Sequence, residues 1–416
     1  MNTPFRYLVV ASPLHDDRAR DAIAAAYRRT LTAAGGMPAS GDDWSDSAPL
    51  VYMILTGGTE QEVLRLRALR SAAQPGEPVL LLAHPGHNSL PAALEILARI
   101  HQDRQTGRII FLAGPTDATG LDALAEAVRA VDAAAFLRRA RSGVVGQPSD
   151  WLVASVPEPA AVKRSWGPVL VGIPLDRVHA RLAAGAPGRS WPGRPRAVVE
   201  PAPSDLDHSA AVYEALREIA ADHKLDALTV RCFDLVTADR ATGCLALARL
   251  SDEGVPAGCE GDIPSVLGLL WIHRLTGRPG WMANPARVEP AAGRLLLAHC
   301  TVPLDLVREH VLRSHFESGL GAAIQGELPS GDATLFRIGG SELERLWIAE
   351  GTGEAAPPEE GLCRTQLTVR IPPAAATDLL ARPLGNHLLY APGRWRSLLE
   401  TAAALQGSIQ VSSFSS

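Results

Sequence analysis

The feature that most limits the fold lies in the first third of the chain, where short apolar runs alternate with amphipathic helical patterns. Strand-like runs fall at residues 7–11, 50–55, 79–83 and 109–112, and helical patterns at 17–34, 60–72, 90–102 and 120–139. Gly35-Gly36 can take the left-handed turn that closes the first helix. For the 90–102 helix the pattern predicts Ser89 as N-cap, Pro91 in the first turn, and Leu90, Leu94, Leu97 and Ile100 on one face. Leu121, Leu124, Val128 and Val131 do the same for the 120–139 helix. Near-continuous apolar strands separated by helices imply a parallel sheet covered on both faces.

A second unit begins near Ser142-Gly143-Val144-Val145-Gly146, a fresh strand ending in glycine. Residues 186–203, rich in Pro, Gly and Arg, read as a long surface loop. The βα pattern resumes with a helix at 207–222 and a strand at 227–230. After about residue 290 the texture changes: strand-like runs at 295–298, 334–338 and 366–371 follow without regular helices between them, as in antiparallel sheets. The expected architecture is α/β, with two Rossmann-like parallel-sheet domains (1–142 and 143–290) followed by a β-rich C-terminal domain (291–416).

Composition removes several functional classes. With 40 basic against 45 acidic residues and no basic stripe, nucleic acid is not an expected partner. No apolar run approaches the roughly 20 residues of a membrane span, and the first residues lack a signal peptide's pattern. Five cysteines without C-x-x-C spacing argue against a disulfide framework or a structural zinc site, and point to a reducing cytoplasm.

The residues best suited to chemistry are Glu260 and Asp262, in Gly258-Cys259-Glu260-Gly261-Asp262, together with Asn284, His299 and His387. Both carboxylates are expected in the first turn of a helix over 263–275 stopped by Gly277, where the helix dipole keeps Glu260 ionised. Helix capping accounts for them as well. His299 ends an apolar run, and His387 follows Gly385, which permits close backbone approach. The turns Thr56-Gly57-Gly58-Thr59-Glu60, His84 to Ser89, and Gly146 to Trp151 follow strands, where open α/β sheets bind ligands; ordinary turn chemistry explains them equally. No G-x-G-x-x-G, Walker loop, H-E-x-x-H or G-x-S-x-G is present in the sequence.

These segments resemble the L-fucose/L-arabinose isomerase-like family. The likeness is carried by Val230-Arg231-Cys232-Phe233-Asp234, Cys259-Glu260-Gly261-Asp262, Trp281-Met282-Ala283-Asn284-Pro285 and Ala298-His299-Cys300-Thr301-Val302-Pro303. His315-Phe316-Glu317-Ser318-Gly319, Cys363-Arg364-Thr365 and Gly385-Asn386-His387 extend it. The resemblance implies two Rossmann-like domains and a β-rich C-terminal domain. It also implies homo-oligomers (hexameric or trimer-based) with active sites near subunit interfaces, and a divalent metal, Mn²⁺, used to interconvert an aldose and a ketose. By position, Glu260 matches a metal-binding acid/base, His387 a histidine from the C-terminal domain, and His299 a further ligand of the arabinose branch.

Asn284 departs from the pattern, because this position holds Asp or Glu in the isomerases. An amide oxygen still coordinates a hard cation but brings no charge and accepts no proton near neutral pH. The expected metal ligands are thus Glu260, Asn284, His299 and His387. Glu260 and Asp262 are the expected catalytic residues, with Asp234 and Glu317 as further replacements for the missing carboxylate. Arg231, Asn284, Glu317, Arg364 and Asn386 are expected to bind substrate. The reading is an intramolecular oxidoreductase that isomerises a small sugar through a cis-enediol. The alternatives are epimerisation, C–C cleavage, or a non-catalytic carbohydrate-binding protein.

Overall fold

The computed structural model describes residues 3–14, 16–39, 44–184, 194–355, 357–407 and 409–415. Two compact units emerge, one formed by Met1–Phe136 with Ser397–Ser408, the other by Leu137–Arg396 with Ile409–Ser416. Part of the 186–203 segment, residues 185–193, lies outside the described residues.

The first unit contains a five-stranded parallel sheet. Its strands run in the order Gly36–Pro38, Phe5–Val10, Leu50–Ile54, Val79–Ala83, Gly107–Phe111. The two central runs are buried at every residue, which is why they read as unbroken apolar segments. The helix Ser89–Gln102 buries Ala92, Ala93, Ile96 and Ile100 and packs Leu90 and Leu97 on the same core; of the expected face only Leu94 is exposed. Small alanines beside these residues let the helix approach the sheet closely. Its cap also differs. Asn88, in the left-handed conformation, precedes the helix, while Ser89 Oγ donates to Ile54 O and accepts from His84 N. The glycine-bearing turns of this unit close on themselves. Ser12 N donates to Thr56 Oγ1, Gly57 N to His87 O and Gly86 N to His84 Nδ1.

The second unit opens with a four-stranded parallel sheet in the order Ala257–Gly258, Ala227–Val230, Arg141–Val145, Val169–Ile173. A closed antiparallel barrel follows. Its strands run Gly331–Gly339, Leu388–Pro392, Trp281–Glu289, Arg294–His299, Thr365–Arg370 and Arg345–Glu354, which returns to 331–339. The strand Gln410–Phe414 is added in parallel on 345–354. The fold is thus α/β, with two parallel sheets and a β-rich C-terminal region. Two helices, Pro373–Ala381 and Arg396–Gln406, interrupt the strands after residue 290, where none was expected; the first, alanine-rich, buries Ala375, Ala376 and Leu379. No helix among the described residues is long and apolar enough to cross a membrane.

The barrel core gathers Trp281, Leu295, Leu297, Leu335, Trp347, Leu367, Val369 and Tyr390. Trp281 satisfies its indole N–H on Thr301 O at 2.6 Å. The helix Ile263–Thr276 is almost wholly buried and packs on the barrel, with Gly268 against Leu389 and Phe336. A Cβ there would fall well inside contact distance of Leu389 Cδ1 and 3.2 Å from a Phe336 ring carbon. We predict that Gly268→Val lowers stability by about 1–3 kcal/mol, the usual cost of overpacking. The measurement is a fall in the urea midpoint at unchanged slope.

Candidate functional site

The site lies wholly within the second unit, where one end of the barrel meets the carboxyl ends of the 141–145 and 227–230 strands. Pairing between 281–289 and 388–392 stops at Ala283–Leu388, so Asn284 and His387 leave the ladder together. His299 is the last residue of 294–299, one step beyond Ala298, the partner of Asn284. Strand ends at one rim thus bring together three residues that are more than 100 positions apart at the extremes.

Glu260 arrives from the opposite direction, on the loop after Ala257–Gly258. It does not stand in the helix as expected. Asp262 is the N-cap of Ile263–Thr276, accepting from Ser265 N at 2.8 Å, and Glu260 precedes it with φ +64°. A left-handed glutamate costs of order 1–3 kcal/mol, so its surroundings must hold it. Ser149 N donates to Glu260 O, and Trp151 Nε1 donates to Glu260 Oε2 at 2.6 Å. Gly261 (φ +74°) passes so near Pro148 that a Cβ would lie 2.6 Å from its Cα. The 146–151 loop, a suspected ligand-binding turn, therefore clamps Glu260.

The cavity, of about 320 Å³, is lined by Trp151, Phe233, Cys244, Cys259, Glu260, Asn284, His299, Cys300, His315, Glu317, Cys363 and Asn386. Trp151 packs edge-on against Phe233 (centroids 4.9 Å) and Phe233 against His315 (5.5 Å), forming an aromatic wall. The ligand-type atoms of Glu260, His299 and His387 all lie within 4.8 Å of one another. His387 is fully buried, and its Nε2 has no hydrogen-bond partner. That nitrogen sits 3.5 Å from Glu260 Oε1, near enough for attraction but without a hydrogen bond's geometry. An orphaned imidazole nitrogen beside a carboxylate is a donor set that fits a divalent cation.

Behind His387 lies a fully buried ionic chain. His387 Nδ1 is 2.8 Å from Asp262 Oδ2. Arg337, 1% exposed, contacts both Asp262 oxygens through NH1 at 3.3 and 3.1 Å, and also Ser265 Oγ and Ser155 Oγ. Gly385 (φ +150°) lies flat on the guanidinium, where a Cβ would be 2.5 Å from NH2. Arg337 was invisible in the sequence, because nothing local marks an arginine inside a strand as the partner of a carboxylate 75 residues away.

Charge follows this geometry. Burial would push Asp262 up, yet Arg337 and His387 hold it well below the usual carboxylate range. Burial opposes ionisation of Glu260 too, and the neighbouring His387, His299 and Trp151 overcome it, so it stays low. Burial would lower His387, but Asp262 and Glu260 raise it to about 9. His299, buried and facing the His387 charge, is pushed down to about 3.

Among the remaining expected residues, Glu317, Asn284 and Asn386 line the cavity, and Asn386 Nδ2 reaches Asn284 Oδ1 at 3.5 Å. Asp262 does not; it stands behind His387 with 0% exposure. Arg231 pairs with Asp150 and Asp234 and lines a neighbouring cavity. Arg364 donates to Ser314 O and Oγ. The cysteines were read only as reduced; four of the five line the cavity, and the fifth, Cys232, has its sulfur 2.8 Å from that of Cys259. Their scattered spacing gave no signal of that convergence.

No family model matches the chain. It is similar to curated sugar isomerases. One is a sulfoquinovose isomerase of Alkalicoccus urumqiensis, 26% identical over an alignment of 261 residues that covers 59% of this chain and 59% of that protein. Another is a sulfoquinovose isomerase of Clostridium sp. (strain MSTE9), 26% identical over 170 residues, covering 39% of this chain and 38% of that one. The match thus spans about three fifths or less of each relative's length.

We predict that the protein binds Mn²⁺ through this cavity and that Glu260→Gln weakens binding by more than the roughly 10–100-fold typical of losing an outer-shell partner. Calorimetric titration of both proteins measures it; equal affinities would remove Glu260 from the donor set.

Proposed function

We propose that the chain is an aldose–ketose isomerase acting on a sugar, with sulfoquinovose the first substrate to test because the similar proteins carry that name. The observation that carries the reading is one buried cluster, at the cavity, in which an ionised Glu260 faces two imidazoles. Glu260 and His387 would hold a divalent cation, with the Asn284 amide nearby. When bound, such a cation polarises the sugar carbonyl as a Lewis acid.

The chain's own residues supply the rest. Glu260, its Oε2 anchored by Trp151, presents Oε1 as the base that takes the proton from the carbon beside the carbonyl. The same oxygen returns that proton to the former carbonyl carbon, which exchanges aldose for ketose through an enediol. The proton that moves between the two sugar oxygens needs a second acid/base. Three carboxylates offered a substitute for the acid absent at Asn284, and of these Glu317 alone lines the cavity. The wall of Trp151, Phe233 and His315 gives the sugar's C–H face a surface.

A second reading is a sugar-binding protein without turnover. It is favoured by Asn284, whose amide oxygen is uncharged and lies within reach of Asn386. Solvent exchange separates the two. The isomerase reading predicts that a panel of aldoses including sulfoquinovose, incubated in D₂O with Mn²⁺, contains one that gains deuterium at C2 and yields ketose. Glu317→Gln is expected to lower kcat by about 10²–10⁴, as for loss of a positioned acid/base. Binding of a sugar with neither deuterium uptake nor ketose formation from any of the panel would establish the second reading instead.

A further inference from the structure

The two histidines clustered with Glu260, His299 on the cavity wall and His387 just behind it, are held in opposite senses. Thr301 N donates to His299 Nδ1 at 3.2 Å. A ring nitrogen that accepts a hydrogen bond carries no proton, so a neutral His299 bears its proton on Nε2. His387 is the reverse. Its Nδ1 points at Asp262 Oδ2, at 2.8 Å. Arg337 and Ser265 N both donate to that carboxylate, which makes it an acceptor only. His387 Nδ1 therefore carries the proton, and a neutral His387 leaves a lone pair on Nε2, the buried nitrogen without a partner.

We infer that the two rings divide the work of the cavity: His387 is the cation's imidazole ligand through Nε2, whereas His299 presents an N–H to a substrate oxygen and is not a third ligand. Asp262 is then a positioning residue that selects the ligating face of His387, with Arg337 and Ser155 fixing its chain from behind. This rests on the reading of the cavity as a cation-assisted sugar site. It assigns the geometric trio of Glu260, His299 and His387 unequal roles.

The atoms of Asp262 make a clean test available. Oδ1 accepts from Ser265 N and caps the helix, while Oδ2 faces His387. In Asp262→Asn, Oδ1 can keep the cap and the amide NH₂ would face His387 Nδ1, turning that nitrogen into an acceptor and moving the proton to Nε2. The first measurement is ¹⁵N correlation spectroscopy of the imidazole nitrogens, with His299→Gln and His387→Gln assigning the rings. His387 Nδ1 is expected to be proton-bearing and His299 Nδ1 proton-free in the wild type, and Asp262→Asn to make His387 Nδ1 proton-free. A proton on His299 Nδ1 would overturn the assignment. The second measurement is Mn²⁺ calorimetry. His387→Gln and Asp262→Asn are expected to weaken binding about 10–100-fold or more, and His299→Gln to weaken it by less than about tenfold.

Equal losses from His299→Gln and His387→Gln would make His299 a ligand and sink the division. If the wild type takes up no Mn²⁺, the cation reading itself fails and the ligand role of His387 falls with it; the nitrogen shifts still decide the N–H role of His299. If Asp262→Asn does not fold, as a lost thermal transition would show, the wild-type shifts and the two glutamine variants decide alone.

Discussion

The interaction on which the site depends is a carboxylate with no exposure to water, Asp262, shared among three demands. It caps the helix Ile263–Thr276, compensates Arg337 and receives the Nδ1 proton of His387. Taking such charges out of water costs several kcal/mol per ion unless every lone pair and proton is matched. Here both Asp262 oxygens are matched and Arg337 also reaches Ser265 and Ser155, which leaves Arg337 Nε and His387 Nε2 without partners. The arrangement links the end of the parallel sheet to the barrel, because Asp262 belongs to one and Arg337 and His387 to the other. Removing either partner would leave an uncompensated buried charge, so the chain holds the two layers in one relative position.

That position explains how residues from remote parts of the sequence share one cavity. Barrel closure brings Asn284, His299 and His387 to a single rim. The left-handed turn at Glu260 and Gly261 then projects one carboxylate over it, with Trp151 and Ser149 holding the strained backbone. Strain concentrated where a functional side chain must be aimed is a common feature of reacting sites.

Much of the fold was legible because burial leaves a linear record. The strand 79–83 and the strand 227–230 coincide with the apolar runs that announced them, and Gly277 does end its helix with φ +70°. The errors have equally physical causes. The helix Ser89–Gln102 turns its alanines inward, since close packing rewards small side chains that hydrophobicity patterns underrate. Ser89 reads as a cap but spends its hydroxyl on Ile54. In the site, Glu260, Asn284, His299, Glu317 and Asn386 do meet around one cavity. Arg231 and Arg364 are instead taken up by partners of their own, Asp150 and Asp234 for the first and Ser314 for the second. Arg337 left no trace, because a long-range ion pair has no periodicity.

Sulfur shapes what the cavity can grip. Cys244, Cys259, Cys300 and Cys363 cover part of its wall with thiols that donate and accept only weakly. Firm polar recognition is therefore left to Glu260, Asn284, Glu317, Asn386 and the imidazoles. A polyhydroxylated guest would have to meet those groups with its oxygens and leave its carbon skeleton to the thiols. With so few firm partners, such a lining would separate stereoisomers by which hydroxyls it left stranded against sulfur.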